Sequence, residues 1–86
     1  MRRKIRLVKI TLKGKWKKRD ITFTSGVIVA AQTIGQLIAE GKAKALSQHF
    51  SISVYHKNQV KLLEAFKITA VEIVHELGLS NDVYPD

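Results

Sequence analysis

Eighty-six residues, 45% of them hydrophobic and none of them cysteine, suffice for one small domain with a thin core and exclude a disulfide framework or thiolate zinc site. Fifteen Lys and Arg against seven Asp and Glu leave a formal charge of +8, the balance of a chain that meets a polyanion. The longest apolar run starts at Val27, is interrupted by Gln32, Thr33 and Gln36, and falls short of the roughly 20 residues a spanning helix needs; with no targeting segment in view, a cytoplasmic location is expected.

The expected fold is α+β, a single domain over 1–86 with elements in the order ββαβα. Ile5 to Leu12 is rich in β-branched residues, Lys13-Gly14 punctuates it, and Trp16 to Thr24 resumes with Ile21 and Phe23 two apart. Strand, turn, strand follows. A turn centred on Gly14 sets Ile5 opposite Phe23 and Leu7 opposite Ile21, which gives one apolar face. Thr24-Ser25-Gly26 supplies a hydroxyl to cap a helix start. From Val27 the apolar residues Val27, Ala31, Ile34 and Ile38 recur at helical spacing, with Leu37, Gly41 and Ala45 beside them. One helix from about 26 to about 47 is expected, with a break near Gly41 as the alternative.

Phe50 to Tyr55 alternates apolar and polar, the period of a short half-buried strand. Asn58 is positioned as an N-cap for a second helix, Gln59 to Leu77. There Leu62, Leu63, Phe66, Ala70, Ile73, Val74 and Leu77 gather within an arc of roughly 120°. Gly78-Leu79 suits a helix stop in which Gly takes the left-handed position. Residues 80–86 form a polar tail expected to fray. The apolar arc is wider than one three-stranded sheet face needs, so a homodimer through the C-terminal helix is expected.

The charge is concentrated. Residues 2–19 hold ten of the fifteen basic residues and no acid, whereas residues 20–86 hold five Lys and all seven acids. Arg2, Arg3, Lys4, Arg6, Lys9, Lys13, Lys15, Lys17, Lys18 and Arg19, together with Trp16, are therefore the candidate nucleic-acid-binding residues. A basic hairpin can track phosphates, and Trp16 can stack on a base or simply cover the hairpin. With no Asn or Gln beside the Arg residues, base readout is poor, and low sequence specificity is expected for DNA or RNA alike. Lysines on edge strands also serve to block sheet-to-sheet aggregation. The runner-up is a protein–protein module, an adaptor or inhibitor docking an acidic partner or adding a strand to its sheet; a ribonucleoprotein subunit is the third. No basic amphipathic helix favours a membrane surface.

Ala45-Leu-Ser-Gln-His-Phe-Ser-Ile-Ser53 resembles the first half of a helix-turn-helix, in which a helix with a small residue runs into a turn, an aliphatic residue and a Ser. The resemblance implies that Tyr55, His56, Asn58 and Gln59 would face DNA. Past Ser53 the pattern departs, because Lys57 stands where an aliphatic residue should pack. His49, His56 and His75 have no metal-ligand spacing, so no metal and no cofactor is expected. No nucleophile elbow or phosphate-cradling glycine loop is present. Glu72 and Glu76 are four apart on the polar face of the expected last helix. The expectation is a protein that is not an enzyme. The helix start at Thr24-Ser25-Gly26 could add a phosphate contact to the basic hairpin.

Overall fold

Lys17 and Lys18 both take left-handed backbone, with φ of 51° and 66°. That is the geometry of a two-residue hairpin turn whose twist matches its flanking strands. The turn joins β1, Arg3–Trp16, to β2, Arg19–Ala31, with Trp16 opposite Arg19 and Lys4 opposite Ala31. The computed structural model describes residues 3–80. Beyond β2 come α1, Ile34–Phe50, α2, Gln59–Ala65, and β3, Phe66–Ser80. The three strands form one antiparallel sheet in the order β2-β1-β3. The α+β class holds, with three strands and two helices, but the last helix and last strand stand in the order ββααβ. Arg2 and the tail 81–86 lie outside the described residues.

Gly14 is not the turn. It lies inside β1 opposite Ile21, so Leu12 rather than Ile5 faces Phe23, and Leu7 faces Ile28. The space above Gly14 is taken: a Cβ there would overlap the Ala65 carbonyl and come within 2.8 Å of the Phe66 ring. β2 then runs through Thr24-Ser25-Gly26, where a helix start was expected. Phe23, Ser25, Val27, Val29 and Ala31 are buried, and the residues from Thr22 to Ile28 that alternate with them are exposed, the period of a half-buried strand. The helix starts later. Thr33 Oγ1 accepts the Gln36 N–H at 3.1 Å, and Gln36 Oε1 accepts the Gln32 N–H at 2.8 Å. This is close to a capping box.

α1 buries Leu37, Gly41, Ala45 and Leu46 and lies mainly over β2. Gly41 lets it approach until Ile10 Cδ1 fills the place of a Cβ. Phe50 ends this helix and Ser51 follows in left-handed conformation at φ 55°, so 50–55 is not a strand. Asn58 flanks α2 but makes no side-chain cap bond. α2 is tied to α1 by Lys42 Nζ donating to the Leu63 carbonyl at 2.6 Å and Gln59 Nε2 donating to the Ala43 carbonyl at 3.1 Å. The core joins Val8, Ile10 and Leu12 of β1 to Val27 and Val29 of β2, Leu37 and Leu46 of α1, Leu62 and Phe66.

The expected helix from Gln59 to Leu77 stops after seven residues, and the chain continues extended as β3. Ile68, Thr69, Val71, Ile73 and Val74 are β-branched, which favours extended backbone. The fifteen residues of β3 face only twelve of β1, Arg3 to Gly14. The register steps over Thr69, Val74 and Leu77, each a bulge. Gly78, with φ 134°, lies within the strand and closes no helix. The homodimer expected through a C-terminal helix therefore has no such helix to use.

Candidate nucleic-acid interface

The pleat of β1 sends alternate side chains to opposite sides of the sheet. Val8, Ile10 and Leu12 enter the core under the helices. Lys9, Thr11, Lys13 and Lys15 therefore stand on the open side, successive ones about 7 Å apart. Lys67 of β3 is directly opposite Lys13, and Thr22 and Thr24 of β2 are opposite Lys13 and Thr11. Thr11 Oγ1 and Thr24 Oγ1 are hydrogen-bonded at 2.8 Å. Lys13, Gly14, Lys15, Asp20, Lys67 and Thr69 border a shallow hollow on this side. Lys17, Lys18 and Arg19 are exposed at the hairpin turn next to it.

The opposite side of this end is braced by rings. Phe50 sits 6.4 Å from Trp16, 6.0 Å from Phe23 and 5.5 Å from Phe66, each near edge-on. His49 stacks on Phe23 at 3.8 Å, nearly parallel. The cluster ties the C-terminal end of α1 to all three strands just below the turn. Trp16 is half-buried in it, on the side away from Lys13 and Lys15.

The nine described cations of the basic stretch do not share one setting. At the far end of β1, Arg3 lies 3.7 Å from Glu40. Arg6, its side chain only 11% exposed, lies 3.4 Å from Glu76. Lys9 is opposite Glu72, and Lys4 lies opposite Ala31 and Leu79. Acids from α1 and β3 thus return to this half of the stretch. At the turn end the balance is different. Lys13, Lys15, Lys17, Lys18, Arg19 and Lys67 have no ion-pair partner among the described residues, and Asp20, opposite Lys15, is the one carboxylate within the group. Lys67 stands beside these cations although the expected helix from Gln59 to Leu77 contained it; only the strand register brings it opposite Lys13.

Other candidate features dissolve. Thr24-Ser25-Gly26 is mid-strand, so no helix N-terminus is there to hold a phosphate. Residues 51–58 separate α1 from α2, too long for a helix-turn-helix corner. Gln59, which that pattern would aim at DNA, is 4% exposed. Glu72 and Glu76 fall on opposite sides of β3, facing Lys9 and Arg6 respectively, so they form no pair. His56 Nδ1 accepts the Asn58 N–H at 3.0 Å in the loop, and His75 is opposite Leu7. No described helix is long and apolar enough to cross a membrane. Among known proteins, no family model, curated protein or solved structure matches the chain.

Proposed function

We propose that the chain is a non-catalytic nucleic-acid-binding protein that holds the phosphate backbone with the turn end of its hairpin. The observation that carries this reading is the segregation of charge: six cations from three strands and one turn gather at one end, with Asp20 alone among them. Lysine and arginine at such spacing neutralise phosphates without reading bases. No Phe, Tyr or Trp stands on the open side of the sheet among the described residues; Trp16, Phe23, Phe50 and Phe66 are engaged with one another. A stacking platform for splayed bases is thus missing there, which favours backbone contact with a duplex over single-strand capture.

The test is the salt dependence of affinity. Each neutralised phosphate releases condensed cations, so the logarithm of affinity falls with the logarithm of salt by about 0.9 per contact on B-DNA. Changing Lys15, Lys17, Lys18 and Arg19 to Ala is expected to flatten that slope by up to about four contacts and to weaken binding alike on unrelated sequences. Adding Lys67→Ala flattens it further, whereas Lys57→Ala, in the loop before α2, leaves it unchanged. An unchanged slope in the four-fold variant, with its circular dichroism intact, would shift the assignment to an acidic protein partner.

A further inference from the structure

β3 is an outer strand, exposed from Thr69 to Leu79, and large apolar residues stand bare among its polar ones. Ile73, Val74, Leu77 and Leu79 are 45%, 42%, 48% and 58% exposed. A long edge of this kind is a template for another strand. Its three bulges blunt that template, because a straight strand cannot follow a chain that carries extra residues. A copy of β3 can follow it. Ile68, Val71, Ile73, Glu76 and Leu79 lie opposite the side of β1 that faces the helices, and Ala70, Glu72, His75 and Gly78 lie opposite the side that is open. Counted outward from the point between Ile73 and Val74, this pattern mirrors itself. Glu72 and His75 are both on the open side, Val71 and Glu76 both on the helix side, and Ile68 and Leu79 both on the helix side. The bulge at Thr69-Ala70 and the bulge at Leu77-Gly78 lie at equal distances from that point, and Val74 adjoins it.

We propose that two copies of this chain pair β3 to β3 in antiparallel fashion about a twofold axis between Ile73 and Val74, giving a six-stranded sheet. Partner residues in an antiparallel ladder point to the same side. In this register that holds for every pair whose sides are fixed by β1, and bulge meets bulge. Ile73 lies opposite the partner's Val74, Ala70 opposite the partner's Leu77, and Ile68 opposite the partner's Leu79, which covers the exposed apolar residues named above. Glu72 lies opposite the partner's His75, and no two like charges face each other. Shifting the axis onto Glu72 would set two carboxylates in opposition, which disfavours that register. The inference stands on β3 alone and is independent of the nucleic-acid reading.

The chain has no cysteine, so single thiols report the register cleanly. Val74→Cys places its own sulfur diagonally across the axis from its copy, within disulfide reach on the order of 6 Å between Cα atoms. Mild oxidation is expected to give a covalent dimer from Val74→Cys and none from Lys67→Cys, whose copies would lie some 40 Å apart. A mixture of Ala70→Cys and Leu77→Cys chains is expected to cross-link as the mixed dimer, each alone far less. Light scattering of the unaltered chain is expected to show twice the 9.7 kDa protomer mass, and Val74→Lys to return it to the monomer with circular dichroism unchanged. A monomer across all concentrations overturns the proposal, and so does cross-linking of Lys67→Cys as efficient as that of Val74→Cys.

Discussion

Gly14 lies opposite Phe66, at the point where α2 gives way to β3, and the Phe66 ring takes the space a side chain would need. Any side chain there would push against the Ala65 carbonyl and that ring, which is itself fully buried. Gly14→Ala is therefore expected to cost about 1–3 kcal/mol, an overpacking effect, measured by chemical denaturation; a loss near zero would mean that the ring can slide aside. Glycine reads as a turn because its small side chain and its backbone freedom have the same one-letter signature. The sequence carries no mark that distinguishes a residue chosen for φ from one chosen for room. Lys67 was illegible for a related reason. A cation's place is set by what lies opposite it, and Lys13 is 54 residues away in sequence, the difference between the two positions paired in the sheet.

At the scale of elements, β3 shows how a strand can imitate a helix. Two-residue alternation interrupted by bulges at Thr69, Val74 and Leu77 spreads the apolar residues to an average spacing between that of a strand and that of a helix. Helical periodicity over Gln59–Leu77 was thus real as a pattern and wrong as a structure beyond Ala65. The β-branched content of 68–74 was the signal that opposed it. The start of α1 was legible as Thr33-x-x-Gln36, but Thr24-Ser25-Gly26 offered an earlier cap of similar chemistry. The hairpin was foreseen as an element and its turn was missed, because Lys17-Lys18 is a poor sequence for left-handed backbone. Two lysines there carry a conformational cost that Asn-Gly would not. Replacing Lys17 by Asn and Lys18 by Gly is expected to raise stability by about 1–2 kcal/mol in urea titrations. The same change removes two cations from the proposed interface, so gain in stability and loss of salt-dependent affinity should appear together.

For the whole molecule, net charge and its concentration in residues 2–19 were legible, and the pairing of half of that stretch with distant acids was not. The long axis measures 47 Å, and the basic stretch runs along much of it in β1. Strand pairing brings Glu72 and Glu76 to one half of β1 and α1 brings Glu40 there, so the bare positive end is a product of folding. The same arrangement has a consequence for time. β1 is the central strand, yet one of its two neighbours, β3, follows both helices along the chain, and Arg3 pairs with Ser80. A nascent chain can close the β1–β2 hairpin early, but one edge of β1 stays unpaired until both helices and β3 have been synthesised. A chain ending at Ala65 is expected to lose its cooperative thermal transition, since Phe66 and the β1–β3 ladder go with the missing segment. Closure across so long a loop places refolding of the full chain on the millisecond-to-second scale of sheet proteins, not the microseconds of helical bundles. Stopped-flow fluorescence of Trp16, which sits beside Phe50 in the ring cluster, would time that closure directly, and the interval before it is when the open edge of β1 is most in need of a chaperone.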